Sequence, residues 1–163
     1  MLILGVDPGL ASVGYGVVHY EKNRFRPLEF GTLVTAPDLA LEQRLLRIHR
    51  HFEALIARHH VDSMAVEELF FTKNVSNGIQ VGHGRGVVLL AGALAGIPVF
   101  EYTPMQVKQA ITGYGRAEKH QVQYMVRAIL GLQEAPRPDD TADALALCVC
   151  HAHNAGSKLQ NLK

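Results

Sequence analysis

Three β-rich runs, Leu2–Asp7, Val13–Tyr20 and Phe25–Val34, succeed one another before any helical stretch begins. The first ends at the Pro8-Gly9 turn signal, and the second and third are joined by Glu21-Lys22-Asn23-Arg24, a hairpin connection. The chain therefore opens with three consecutive antiparallel strands. Beyond them the hydrophobic rhythm changes. From Leu39 to His60, the residues Leu41, Leu45, Ile48, Phe52, Leu55 and Ile56 recur at three- and four-residue steps, the period of an amphipathic helix. Ser63–Glu67 is too short for a helix and reads as a buried strand ending in a carboxylate. A helix from about Asn77 to Ala95, a strand at Pro98–Tyr102 and helices near Pro104–Ile111, Glu118–Leu130 and Asp139–His153 complete the order. This is an α/β pattern with a mixed sheet. We expect one domain over 1–153 and a flexible polar tail over 154–163.

With 48% hydrophobic and 19% charged residues the chain can bury a core. Its formal net charge of +1 gives no licence to infer a nucleic-acid partner, so any such inference must come from where the charges sit. Cys148 and Cys150 lie two apart in an apolar run, where helical side chains do not face each other, so no disulfide is expected. With no basic leader-like segment before the first strand, and with Val87–Phe100 too short and too rich in Gly and Ala to span a bilayer, a soluble cytoplasmic protein with no membrane partner is expected. The pairs His49/His51 and His59/His60 read as solvated.

The chemistry is concentrated in four carboxylates. Asp7 and Glu67 each close an apolar strand, where an ionised group is costly unless something pairs with it. If those strands are neighbours, the two acids meet at one sheet edge. Asp140 and Asp143, three apart at the start of the last helix, project from one face. Oxygen donors without Cys or His suit a hard ion, magnesium or manganese. Two such ions a few ångströms apart can serve phosphodiester hydrolysis. Each acid also has a plainer reading. Asp7 can be an Asp-Pro-Gly turn former, and Asp139 or Asp140 a helix N-cap after Pro136 and Pro138. Asp143 has little structural alternative, because an unpaired Asp on a buried helix is rare.

In order along the chain stand Gly5-Val6-Asp7-Pro8-Gly9, Gly14-Tyr15-Gly16, Ala65-Val66-Glu67-Glu68-Leu69-Phe70, Lys73-Asn74 and Gly84-Arg85-Gly86-Val87. Val99-Phe100-Glu101-Tyr102, Gln106-Val107-Lys108-Gln109, Ala117-Glu118-Lys119 and Asp140-Thr141-Ala142-Asp143-Ala144-Leu145-Ala146 come after them. This series resembles the RuvC family of Holliday-junction resolvases from residue 2 to about 153. The resemblance implies an RNase H-like fold, a five-stranded mixed sheet flanked by helices. It implies a structure-selective endonuclease that resolves four-way junctions during recombination and DNA repair. Paired symmetric nicks, one in each of two opposing strands, would leave 5′-phosphate ends.

The same resemblance assigns Asp7, Glu67, Asp140 and Asp143 to Mg²⁺, with Mn²⁺ substituting and two ions per site during catalysis. Some relatives carry a histidine at the position of Asp140. Lys108 and Lys119 match lysines that touch the DNA backbone or stabilise transition-state charge. Phe70 matches an aromatic that stacks on bases near the crossover; its plainer reading is a core Phe, but an adjacent Phe70-Phe71 pair in a polar loop is hard to bury completely. Lys73, Asn74, Arg85 and Arg116 are further candidate phosphate contacts. Neutralising the four acids raises the formal charge from +1 to +5, which favours phosphate. The family acts as a homodimer, and the small residues Gly82, Gly86, Ala91, Gly92, Ala95 and Gly96 read as core packing or as that interface. It works with the RuvA and RuvB branch-migration proteins. An actin-like ATPase shares a strand–Asp–x–Gly–hairpin phosphate loop but needs two such domains. A related nuclease acting on RNA or other branched DNA, or a catalytically silent junction binder, are the remaining readings.

Overall fold

The computed structural model describes residues 1–69 and 75–160, with side chains left out for 75–77 and 156–160. Phe70, Lys73 and Asn74 lie outside the described residues, so their expected DNA contacts are not addressed by it. Strands β1 (Leu2–Asp7), β2 (Ser12–Glu21) and β3 (Arg24–Val34) come first, then helix α1 (Leu41–His59), β4 (Ser63–Glu67), α2 (Val75–Leu94) and β5 (Val99–Tyr102). Helices α3 (Pro104–Thr112), α4 (Lys119–Leu130) and α5 (Asp139–Gln160) end the described chain. The sheet order is β3-β2-β1-β4-β5, with β1–β2 and β2–β3 antiparallel and β1–β4 and β4–β5 parallel. This is the five-stranded mixed sheet of an RNase H-like fold. The β2–β3 turn places Lys22 and Asn23 at φ 48° and 61°, the left-handed pair that a two-residue hairpin requires.

Period-two alternation along β1 divides the core. Leu4 and Val6 face α1 and α2, where Ile48, Phe52 and Leu55 are fully buried. Burying a side chain of that size contributes about 1.5–3 kcal/mol, so three of them hold α1 firmly against the sheet. Ile3 faces the other way, toward a second core built on α3, α4 and α5. Gly5 lies on that second face, where a Cβ would stand 2.0 Å from the Ala144 carbonyl oxygen. At Gly14 of β2 it would stand 2.0 Å from the Asp140 carbonyl oxygen. Helix α5 thus lies directly on the bare backbone of β1 and β2, and Ala142 through Ala152 are buried apart from the half-buried Asp143.

Cys148 sits in this contact, its Sγ 3.2 Å from the Gly16 carbonyl, and both cysteines are free. Burial pushes the Cys148 thiol up to about 12. The helix runs to Gln160, beyond the boundary expected at His153. Asn154 extends it by donating from Nδ2 to the Cys150 carbonyl at 2.8 Å, and no proline comes after it to stop the helix.

The histidines of α1 are not uniformly solvated either. His59 Nε2 is 2.7 Å from Glu29 on β3, where Arg58 also pairs at 3.3 Å. His51 is half-buried with its ring 4.7 Å from that of Tyr15, and burial lowers its pKa. The helix leans its polar shoulder, as well as its apolar face, onto β2 and β3. No helix among the described residues is long and apolar enough to cross a membrane.

Candidate active site

Because β1 and β4 are parallel neighbours in register from Ile3↔Ser63 to Val6↔Val66, Asp7 and Glu67 emerge at the same end of the sheet. Period-two alternation sends both to the α5 face, after Gly5 and Ala65. The close seat of α5 on Gly5 and Gly14 then brings its first turns up to the same point. Asp140 accepts a short hydrogen bond from the Ser12 hydroxyl. Next to it, Thr141 Oγ1 meets Thr32 Oγ1 at 2.8 Å, fixing the helix start against β3. Asp139 and Asp140 both lie in the first turn of α5, where the helix dipole favours carboxylates; neither is the residue preceding the helix.

The electrostatics record the crowding. Asp7 is pushed from 3.8 to about 8, first by burial, then by repulsion from Glu67, Asp143 and Asp140, with Lys119 opposing. Glu67 is pushed from 4.5 to about 7 by burial and by Asp143, against Lys119 and Lys108. Asp143 also rises, chiefly by burial, despite its bond to Lys119. Such displacement marks carboxylates that need an added cation to ionise together.

Lys119 answers only part of this. Its Nζ is 3.1 Å from Asp139 and 3.3 Å from Asp143, and it remains half-exposed. A groove of about 190 Å³ opens between these groups, lined by Glu67, Asp143, Lys108 and Lys119 with Pro104, Val107 and Val122 beneath. The capping box at the start of α3, in which Thr103 and Gln106 satisfy each other's backbone, aims that helix so that Lys108 reaches the groove.

The expected acids are therefore gathered at one place, and two expected lysines stand beside them. Arg116 is exposed in the α3–α4 connection, outside the residues lining the groove. Arg85 is turned inward instead of toward solvent: its Nη2 pairs with Glu101 at 2.5 Å and its Nε donates to the Glu67 carbonyl at 3.4 Å. Asp139 is exposed and engaged by Lys119 and by Gln123 at 2.7 Å, which makes it the partner of the lysine. His120 pairs with Glu118 on the surface. Ser12, Gln123 and Glu101 were not foreseen. A lone Ser, Gln or Glu has no periodicity to betray it, and only the tertiary pairing reveals its part.

Among the described residues, no three acidic, His or Cys side chains close around a single point. Carboxylate oxygens without Cys or His fit magnesium, which binds through one or two carboxylates and keeps places for water and phosphate oxygens. The donor chemistry and the unneutralised repulsion at Asp7 and Glu67 both fit such an ion.

Residues 3–151 match the family model of RuvC, crossover junction endodeoxyribonuclease. The crossover junction endodeoxyribonuclease RuvC of Desulforamulus reducens is 55% identical over 152 residues, covering 93% of each chain. Thermus thermophilus RuvC superposes with a TM-score of 0.91 at 42% identity, covering 97% of both chains. T. thermophilus RuvC in complex with Holliday junction substrate gives a TM-score of 0.93 at 42% identity, covering 97% of this chain and 96% of that one. Similar in sequence and in fold over nearly its whole length, and with the four acids at one sheet end, this chain belongs to the RuvC family of crossover junction endodeoxyribonucleases.

Proposed function

We propose that the chain resolves Holliday junctions in recombination and DNA repair by magnesium-dependent hydrolysis at the groove between Glu67 and Asp143, nicking two opposing strands symmetrically. The observation that carries the chemistry is the meeting of Asp7, Glu67, Asp140 and Asp143 beside Lys119 and Lys108. Family membership carries the junction, since a relative at 42% identity is described in complex with Holliday junction substrate. When bound, two Mg²⁺ ions would supply an activated water and neutralise the leaving oxygen; Mn²⁺ would substitute.

The chain's own residues do the rest. Asp7, Glu67, Asp140 and Asp143 would hold the ions, and the Ser12 hydroxyl orients the Asp140 carboxylate. Lys119, tethered by Asp139 and Asp143, stands at the groove to meet charge developing on the phosphate, with Lys108 across from it. Pro104, Val107 and Val122 line the apolar side of the groove. Phe70, Lys73, Asn74 and Arg116 remain candidates for holding the DNA. The products would carry 5′-phosphate and 3′-hydroxyl ends.

A symmetric pair of cuts calls for two sites, and the outer face of α2 offers a surface for a second copy. Ile79, Leu90 and Leu94 are exposed there, and nothing lies within 4 Å of a Cβ built on Gly82 or Gly86. We assign that face to the homodimer, the RuvA and RuvB proteins to branch migration alongside it, and the cytoplasm as the place of action.

The deciding experiment is cleavage of a synthetic four-way junction against a linear duplex of the same sequence, with Mg²⁺ and with EDTA. Paired nicks on the junction, little action on duplex and none in EDTA are expected. Equal cutting of both substrates would sink the junction assignment.

A further inference from the structure

The strand carrying Glu67 is held unevenly. Pairing of β4 with β1 ends at Val6↔Val66, so on that side the last ladder position precedes Glu67. On the other side Glu67 lies opposite Tyr102, and the Glu68 amide donates to the Tyr102 carbonyl at 2.9 Å. A third hold comes from α2. Glu101, opposite Val66 on β5, faces away from the groove and takes the Arg85 guanidinium at 2.5 Å. From that anchored position Arg85 Nε reaches the carbonyl of Glu67 itself at 3.4 Å. The Arg85 side chain is only 18% exposed, so its charge is committed to the strand ends.

The preceding residue adds a second point of support. A Cβ at Gly84 would stand 2.0 Å from the Gly9 carbonyl oxygen, so this turn of α2 rests on the turn just after Asp7. One helical turn therefore touches the chain just beyond Asp7 and the backbone of Glu67. Glu67 adds to the repulsion that Asp7 meets at this sheet end. A backbone left loose at Glu67 would let the carboxylates drift apart.

We propose that Arg85, anchored by Glu101, is a positioning residue for the Glu67 carboxylate and sets metal affinity, not DNA affinity. The inference rests on the reading of Glu67 as a metal-binding residue. It replaces the phosphate contact that the sequence suggested for Arg85. Removing such a supporting partner costs on the order of ten- to a hundred-fold in metal affinity or activity.

The test uses Arg85→Gln, Arg85→Lys and Glu101→Gln in the full chain. Three quantities are measured: Mn²⁺ binding to the DNA-free protein by electron paramagnetic resonance, junction affinity in EDTA across a salt series, and single-turnover cleavage against Mg²⁺ concentration. Arg85→Gln and Glu101→Gln should each raise the Mn²⁺ dissociation constant, and the Mg²⁺ needed for half-maximal cleavage, by about ten-fold or more. Junction affinity should stay within about two-fold with an unchanged salt slope, and Arg85→Lys should recover part of the metal affinity. Glu101→Gln keeps the arginine, so it remains informative if Arg85 variants fold poorly.

Three results overturn the idea: unchanged Mn²⁺ affinity and Mg²⁺ requirement, a salt slope shallower by about one in Arg85→Gln, or tighter junction binding by Glu101→Gln as its arginine is released. A wild-type protein that binds Mn²⁺ yet leaves the junction uncut would refute the junction assignment while the metal measurements still decide the role of Arg85.

Discussion

Asp7→Asn should make the metal-free protein more stable while disabling its active site. In the folded chain Asp7 has its pKa raised from 3.8 to about 8. Between those values the native state holds a proton that the unfolded chain has released, so stability falls as pH rises through that window. At pH 7 the displacement corresponds to about 4 kcal/mol, from 1.36 kcal/mol per pKa unit. Salt screens only the repulsive part and burial is the larger cause, so on the order of 3 kcal/mol should be recoverable.

Asparagine is nearly isosteric and carries no charge to be opposed, so the substitution should recover that amount. For a chain of 163 residues this is a rise in Tm of about 5–10 °C. The assay is thermal unfolding in EDTA at pH 5, 6 and 7 for both proteins. The gap should widen by up to about 1.4 kcal/mol per pH unit, which no simple packing effect would do. Adding Mg²⁺ should then raise the wild type more than the variant, narrowing the gap. A variant that melts no higher than wild type at pH 7, or a gap that does not change with pH, would refute the reasoning.

Other substitutions probe separate parts of the site and the fold. Lys119→Met removes the cation that Asp139 and Asp143 share; single-turnover cleavage should fall about 100-fold and the acid limb of its pH profile should move to higher pH. Junction binding should weaken only a few-fold, as titrated by fluorescence anisotropy. Gly5→Ala drives a methyl into the Ala144 carbonyl, and chemical denaturation should show a loss of about 3 kcal/mol or more together with lost cleavage. Leu94→Asp alters a side chain that is 68% exposed, so its melting at high dilution should match wild type, whereas sedimentation should show loss of the proposed dimer.

Much of this was legible in the sequence because it rests on periodicity. Strand and helix positions came from apolar spacing, and the ends of β1 and β4 pointed to Asp7 and Glu67 before any pairing was known. That β1 and β4 are parallel neighbours could only be supposed, since register is set by contacts distant in sequence. Gly14 and Gly5 were visible as motif glycines, but their purpose, admitting α5 onto the sheet, is a property of two surfaces meeting. Arg85 shows the same limit in reverse. A basic residue near a nuclease site reads as a phosphate contact, and nothing in the sequence signals that Glu101 faces it. The helix beyond His153 was missed because a polar, weakly patterned segment gives no apolar stripe to trace.

The seat of α5 also supplies the protein with an internal clock. Cys148 lies where that helix meets β1 and β2, fully buried and with its thiol far from ionising at neutral pH. A water-soluble alkylating reagent can reach it only while α5 is lifted from the sheet. The rate at which Cys148 is labelled therefore counts how often the helix that carries Asp140 and Asp143 leaves its place. Occupation of the acids by metal should slow that count, and mass spectrometry of the modified peptide would record it without a DNA substrate present.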